Sequence, residues 1–219
     1  MKHVIFVLTV VFALLTSSLS FAQKKCRVSE GAYKNSVDRW HRSMNRVGVE
    51  GTCWIGSLLG GGKVDRLHKN GSRDTIVYAP PGVNFSKPVT LIFWWHGLGG
   101  FSEREFTKRI LPNVAHLSLQ GHNFILVISE LAWSVNTRTP RGRQGRSWVG
   151  TNTENFKIYY NDTIRTITKH IVPKSVCEQR GWCGFSPDNI VIIGHSAGGS
   201  AIKSAAKSGA FEAVRPNRI

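Results

Sequence analysis

Continuous apolar runs, rich in β-branched and aromatic residues, recur along this chain and each stops at a turn or a glycine. They are Asp74–Ala79, Val89–Trp95, Asn123–Ser129 and Asn189–Ile193. The last three lack polar alternation, which is typical of strands buried on both faces of a parallel sheet. The runs therefore predict four strands.

Segments with helical features lie between these strands. Ser102 and Glu105 resemble a capping box, and Pro112 is expected to kink or interrupt the helix that follows. Residues 155–172 have apolar positions at helical spacing, and residues 197–208 form a small-residue helix. The alternation predicts an α/β fold with a mostly parallel sheet and helices on both faces. Ligands of such sheets bind at the carboxyl ends of the strands.

The length of 219 residues suits one domain, and 41% hydrophobic residues supports a packed core. Residues 1–22 resemble a signal peptide, with Lys2, an apolar run over residues 4–15 and Ser20-Phe21-Ala22 before the cut. The apolar run is short for a membrane anchor, which is the alternative. We therefore expect a secreted or periplasmic protein. After the leader, we expect an N-terminal extension over residues 23–72 that covers one edge of the sheet, followed by an α/β domain over residues 73–219.

The chain has four cysteines, which can form disulfides if it is exported to an oxidising compartment. Cys26 and Cys53 lie in the N-terminal region, while Cys177 and Cys183 flank a short loop. Of the three pairings, we favour Cys26–Cys53 with Cys177–Cys183. Four buried free thiols are the alternative. No cysteine spacing indicates a metal site.

The formal net charge of +16 favours anionic partners such as nucleic acid, anionic lipid or an anionic cell-wall polymer. The basic residues are scattered, however, and no nucleic-acid-binding signature accompanies them. We therefore expect a solvated basic surface with no specific nucleic-acid partner. No apolar segment after the first 22 residues is long enough to be transmembrane.

The fourth predicted strand leads directly into Gly194-His195-Ser196-Ala197-Gly198. This is the G-x-S-x-G pattern in its required context, between a strand and a helix. The glycines permit a sharp turn that exposes the serine hydroxyl. Ala197 begins the helix, so its N–H is directed at an oxyanion with the helix dipole behind it. Ser196 is the candidate nucleophile.

A second glycine-rich turn, His96-Gly97-Leu98-Gly99-Gly100, follows the Val89–Trp95 strand. Such a turn can present backbone N–H groups to the same oxyanion. Each motif alone is also compatible with a simple strand-end turn. The two motifs in this order, each after a buried strand, indicate an acyl-transfer site.

With these two motifs, residues 74–219 resemble the α/β-hydrolase family, and most closely its secreted polyester-depolymerase and feruloyl-esterase-like members. The resemblance implies a carboxyl-ester hydrolase that needs no metal or organic cofactor. It implies that Ser196 is the nucleophile and that the N–H groups of Leu98 and Ala197 form the oxyanion hole. It also implies that His96 and His195 shape the turns and do not act as the general base.

The chain departs from the family pattern after the nucleophile. The family order is nucleophile, acid, histidine, but Glu212 is the only acidic residue after Ser196, and no histidine follows His195. We expect the sequence to be the N-terminal part of a hydrolase that stops at Ile219, at the start of the next strand. The alternative is a catalytically inactive hydrolase-like protein or an envelope-binding module.

An arginine-rich loop follows the third strand on the same edge of the sheet. Its candidate substrate-binding residues are Arg138, Arg141, Arg143, Arg146 and Trp148. The arginines suit an anionic substrate through charge-assisted hydrogen bonds, and the tryptophan suits a ring of a polymeric one. A solvated loop is the alternative.

Overall fold

A computed structural model describes residues 27–28, 38, 40, 42, 51–58, 74–97, 102–129, 153–212 and 214. The described strands are β1 (Arg27–Val28), β2 (Thr52–Ser57), β3 (Asp74–Ala79), β4 (Thr90–Trp95), β5 (Phe124–Ser129) and β6 (Asn189–Gly194). The described helices are α1 (Ser102–Glu105), a π-helical segment (Phe106–Ile110), α2 (Leu111–Leu119), α3 (Thr153–His170), α4 (Lys174–Arg180) and α5 (Ala197–Lys207).

The described strands form one mixed sheet in the order β1-β2-β3-β5-β4-β6. β4 is parallel to β5 and to β6, and β1 is parallel to β2, whereas β3 is antiparallel to both of its neighbours. Only ten residues separate β3 from β4, too few for the crossover that parallel strands need. The α/β prediction is therefore confirmed for a sheet that is mostly, but not purely, parallel.

The region 23–72 contributes strands to the sheet, which the hydrophobic pattern did not predict. β2 pairs with β3 along its whole length, with Thr52 opposite Ala79. Gly51 just before β2 has φ +122, and a Cβ there would lie 2.5 Å from the carbonyl oxygen of Ala79. Because β2 contains Gly56 and follows this glycine, its apolar run is short and was not distinguished from a loop.

The helical stretch after β4 changes register in the middle. The Leu111 N–H donates to the carbonyl of Phe106, five residues back, which defines the π-helical segment. Pro112 follows it and has no N–H for the carbonyl of Lys108, so the α-helical pattern cannot pass through this point unchanged. The interruption expected at Pro112 therefore takes the form of a π turn.

Helices cover both faces of the sheet. On one face, Phe156 and Tyr159 of α3 and Ile202 of α5 pack against a cluster that includes Phe93 and Trp95 of β4. On the other face, a second cluster joins the residues of the α1–α2 stretch to the alternate positions of β2, β3 and β5, and its members include Phe106, Ile110, Val114, Ile55, Ile76 and Leu126. The alternation of side chains along each strand thus supplies two cores from one sheet.

Cys177 lies in α4 and forms a disulfide with Cys183, so much of the expected loop between them is helical. Gly181, with φ +71, ends α4 and turns the chain back. Cys53 of β2 is also disulfide-bonded; Cys26, its predicted partner, lies outside the described residues. Over the described ranges, no helix combines the length and the apolar character that crossing a bilayer requires.

Candidate functional site

The turn between β6 and α5 holds Ser196 in an unusual backbone conformation. Ser196 has φ 54 and ψ −115, and no other non-glycine residue in the described ranges has a positive φ. Such a conformation costs on the order of 1–3 kcal/mol and persists only where the surroundings enforce it. The residue is exposed. The sequence prediction of a sharp, serine-exposing turn agrees with this geometry.

Two glycines allow α5 to pack tightly against the strand ends. A Cβ on Gly194 would lie 2.6 Å from the carbonyl carbon of Gly198, and one on Gly198 would lie 2.1 Å from the carbonyl oxygen of Trp95. Neither position has room for any side chain. At Gly199 the nearest atom would be 3.7 Å away, an ordinary contact. The close approach of α5 to the strand ends thus depends on Gly194 and Gly198 and not on Gly199.

The start of the predicted oxyanion turn lies directly beside Ser196. The His195 N–H donates to the Trp95 carbonyl at 3.0 Å, which ties the end of β4 to the end of β6. A Cβ on Gly97 would lie 3.2 Å from Cβ of Ser196 and 3.0 Å from Nδ1 of His195. The structure therefore brings the first two residues of one motif against the centre of the other. Leu98 and Gly99 lie outside the described residues.

Ala197 is the first residue of α5. The N–H groups in the first turn of a helix have no intrahelical acceptor, and the helix dipole places partial positive charge there. This end of α5 follows Ser196 immediately. A negatively charged oxygen formed next to Ser196 would therefore find a favourable electrostatic field.

The two motif histidines have different surroundings. His96 is fully buried, and its Nδ1 donates to the carbonyl oxygen of Gly97 at 2.8 Å. Nε2 of His195 lies 2.5 Å from Nη1 of Arg109, whereas its Nδ1 is buried without a hydrogen-bond partner. No described side chain forms a hydrogen bond with the hydroxyl of Ser196. Neither histidine is thus placed as a base for Ser196 in this geometry.

Sequence reasoning did not identify Arg109 as part of the site. Arg109 belongs to the π-helical segment, and its Nε lies 3.3 Å from Oε2 of the buried Glu105. The spacing of four residues between an acid and a base was a visible signal for that ion pair. Nothing in the sequence indicated that the arginine would also reach His195, 86 residues away.

A second group that the sequence did not reveal is a buried polar cluster at the carboxyl end of β5. Ser129 and Tyr159 are fully buried, and their hydroxyls are hydrogen-bonded to each other. Burial raises the pKa of the Tyr159 phenol, and hydrogen bonds from Ser129 and Thr75 oppose the shift. The phenol therefore stays neutral and joins α3 to the sheet below the site.

Several predicted site residues fall outside the described part of the chain: Leu98, Gly99, Arg138, Arg141, Arg143, Arg146, Trp148 and Cys26. Within the described ranges, no group of three or more His, Cys, Asp or Glu side chains is arranged to hold a metal ion.

A cavity of about 280 Å³ lies at the opposite end of the strands, where β4 and β5 begin, and Lys87 and His122 are among its lining residues. It is remote from Ser196.

No model of a known protein family matches this chain, and no curated protein sequence matches it. Among solved structures, one similar chain is the CE1 ferulic acid esterase AmCE1/Fae1A from Anaeromyces mucronatus, with 14% identity and a TM-score of 0.39. Others are DphMB1, with 16% identity and a TM-score of 0.34, and a Bacteroides fragilis protein assigned as an acetyl xylan esterase, with 14% identity and a TM-score of 0.30.

The alignments cover 89%, 85% and 90% of this chain but only 65%, 56% and 56% of those structures. This chain therefore spans less than two thirds of the length of each. Similarity at these identities and TM-scores is too distant to carry an activity from one protein to another.

Proposed function

We propose that this chain is a serine hydrolase, or the nucleophile-bearing part of one, that acts on carboxyl esters. The observation that carries the proposal is the exposed Ser196, held at φ 54 between β6 and α5 with Gly97 packed against it. Strain of this kind is retained where function needs it. A strand-to-helix turn that exposes a serine beside a second backbone turn suits nucleophilic acyl transfer.

The proposed reaction has two halves. Oγ of Ser196 attacks the ester carbonyl carbon and loses its proton to a base, and the C–O bond to the alcohol then breaks as the base returns this proton to the departing alcohol, which leaves an acyl-enzyme. In the second half, water attacks the acyl carbon and loses a proton to the base, and the bond from the acyl carbon to Oγ breaks as Oγ takes that proton, which releases the carboxylic acid and regenerates Ser196. The N–H groups of Ala197 and Leu98 are proposed to hold the oxyanion in both halves.

The general base and the acid that orients it are not supplied by the described residues. His195 is engaged with Arg109, and His96 with the carbonyl of Gly97. This observation favours the second candidate, a hydrolase-like chain without ester turnover. The two candidates make opposite predictions for the reactivity of Ser196.

A fluorophosphonate probe tests the proposal because it reacts with a serine only where the hydroxyl is activated. Labelling of the chain is expected to be lost in Ser196→Ala and retained in Ser200→Ala, a nearby exposed serine of α5. Peptide mapping should place the adduct on Ser196. An unlabelled wild-type chain, or equal labelling of both variants, contradicts the nucleophile assignment and supports the inactive candidate.

The substrate class and the location belong to the same proposal. The net charge of +16 and the arginines at 138, 141, 143 and 146 support an anionic or polymeric ester. The leader-like residues 1–22 and the Cys177–Cys183 disulfide support export to the periplasm or the medium. Recovery of free thiols at Cys177 and Cys183 would contradict the disulfide and remove its support for export into an oxidising compartment.

A further inference from the structure

Three side chains form a continuous polar connection from the helical stretch after β4 to the turn that carries Ser196. Oε2 of Glu105 lies 3.3 Å from Nε of Arg109, and Nη1 of Arg109 lies 2.5 Å from Nε2 of His195. These two contacts link Glu105 and Arg109 to the proposed site. Neither residue belongs to the two glycine-rich motifs at residues 96–100 and 194–198.

The donor chemistry fixes the proton on the histidine. A guanidinium group has donors and no acceptor, so Nε2 of His195 must accept the hydrogen bond from Arg109. The neutral ring then carries its proton on Nδ1. Nδ1 is buried and has no hydrogen-bond partner, and Gly97 packs next to it. Nε2 of the ring is thus hydrogen-bonded to Arg109, and Nδ1 lies next to Gly97, the second residue of the oxyanion turn.

Burial of Glu105 holds the arginine in place. Only 7% of the Glu105 side chain is exposed, compared with 46% of the Arg109 side chain. Oε2 of Glu105 has no hydrogen-bond partner, and its contact with Arg109 is an ion pair, so among the described residues the guanidinium is the cation that balances this buried carboxylate. If Arg109 moved into solvent, it would leave a buried charge without a partner, which is strongly unfavourable.

The π-helical segment provides an independent sign that this turn is specialised. Arg109 is its fourth residue, and the wider turn changes the direction in which its side chains project compared with an α-helix. Single π turns inside α-helices occur frequently at functional sites. The backbone irregularity and the polar connection therefore coincide at the same residue.

We propose that Glu105 and Arg109 are positioning residues that hold His195 as the Nδ1–H tautomer against Gly97 and thereby set the spacing between the oxyanion turn and Ser196. The consequence for Ser196 rests on the proposed function, whereas the state of the His195 ring does not. The arrangement also keeps His195 out of the role of general base, because its only basic nitrogen is occupied by Arg109.

The ring state is tested by ¹⁵N NMR of the full chain labelled at histidine, at a pH where the rings are neutral. The His195 signals are assigned by their absence in His195→Gln. Wild type is expected to show a protonated Nδ1 and an unprotonated Nε2. Arg109→Met is expected to move the proton towards Nε2, while Arg104→Met, an exposed arginine of the same stretch, leaves it unchanged.

A double variant separates the positioning role from folding. Arg109→Met alone leaves the buried Glu105 charge without a partner, so Glu105→Gln combined with Arg109→Met removes both charges together. The double variant is expected to fold and still to lose the Nδ1–H preference. A wild-type ring protonated on Nε2, or a ring that keeps Nδ1–H in the double variant, overturns the proposal.

The rate of fluorophosphonate labelling tests the consequence for Ser196. The double variant is expected to label about tenfold more slowly than wild type, and Arg104→Met at the wild-type rate. Equal rates in all three chains overturn the positioning role. Absence of labelling in wild type contradicts the proposed function instead, and the NMR result then decides whether Glu105 and Arg109 position the His195 ring.

Discussion

Strands β5 and β6 have closely similar apolar sequences, FILVIS and NIVIIG, but they occupy different places in the sheet. β5 lies between β3 and β4, and all six of its residues are buried. β6 pairs with β4 and with no other described strand, and 38% of Ile193 is exposed. An apolar run therefore indicates that a strand forms, whereas its number of neighbours is decided by contacts far away in the sequence.

The difference bears on the candidate site because β6, the less enclosed strand, leads into Ser196. In β5, neighbours on both sides fix the backbone. At the end of β6, the fixing comes from close packing across the turn, where Gly198 contacts Trp95 and Gly97 contacts Ser196. The strained turn is thus held by a few tight backbone contacts rather than by an enclosing sheet.

The largest expected effect comes from truncating one isoleucine in each of the two strands. Ile125 of β5 is fully buried, so Ile125→Ala should lower the free energy of unfolding by about 2–5 kcal/mol. Ile193→Ala should change it by only about 0.5 kcal/mol, as for other surface substitutions. Urea denaturation of both variants measures the difference. Equal losses would show that β6 is as enclosed as β5.

A second pair of variants tests the packing across the turn. Gly198→Ala forces a Cβ against the Trp95 carbonyl and should cost about 1–3 kcal/mol, as overpacking does. Gly199→Ala has room for its Cβ and should stay within about 1 kcal/mol of wild type. Thermal unfolding of the two chains checks this. If Gly198→Ala were as stable as Gly199→Ala, the tight contact would not hold the turn.

A third test concerns the strain at Ser196. Glycine tolerates a positive φ, so Ser196→Gly should relieve about 1–3 kcal/mol of strain while losing about 0.5–1 kcal/mol to the greater freedom of the unfolded chain. Ser196→Gly should therefore be about 1 kcal/mol more stable than Ser196→Ala, which keeps a Cβ at φ 54. Both variants lack the hydroxyl and should not be labelled by fluorophosphonate. A less stable glycine variant would show that the turn is not strained.

Much of the fold was predictable because its strands are long apolar runs with clear ends. Asp74–Ala79 matches β3 residue for residue, and β4, β5 and β6 each differ by one residue at an end. β2 was missed because glycines at its start and within it dilute the apolar signal. The antiparallel direction of β3 depends on strand pairing, which hydrophobic periodicity does not report.

The site was predictable to the extent that its residues are adjacent in sequence. The turn at Ser196 and its approach to Gly97 follow from two glycine motifs that each end a buried strand. The contact of Arg109 with His195 depends on a π turn and on 86 intervening residues. A local pattern carries no information on a contact of that kind.

The last prediction concerns the solubility of the chain. It has the smallest expected effect on stability and is the most specific to β6. An apolar strand with an open edge is a template for pairing with another chain, and a lysine on such a strand opposes that pairing. Ile193→Lys should therefore raise the soluble concentration of the chain, while it changes the free energy of unfolding by about 0.5 kcal/mol or less.

Ile158→Lys is the matched control, because Ile158 is 44% exposed on α3 and the variant gains the same charge. Light scattering at increasing concentration compares the two variants with wild type. A gain confined to Ile193→Lys would identify the edge of β6 as the site of self-association, and equal gains would attribute the effect to charge and contradict the open-edge interpretation.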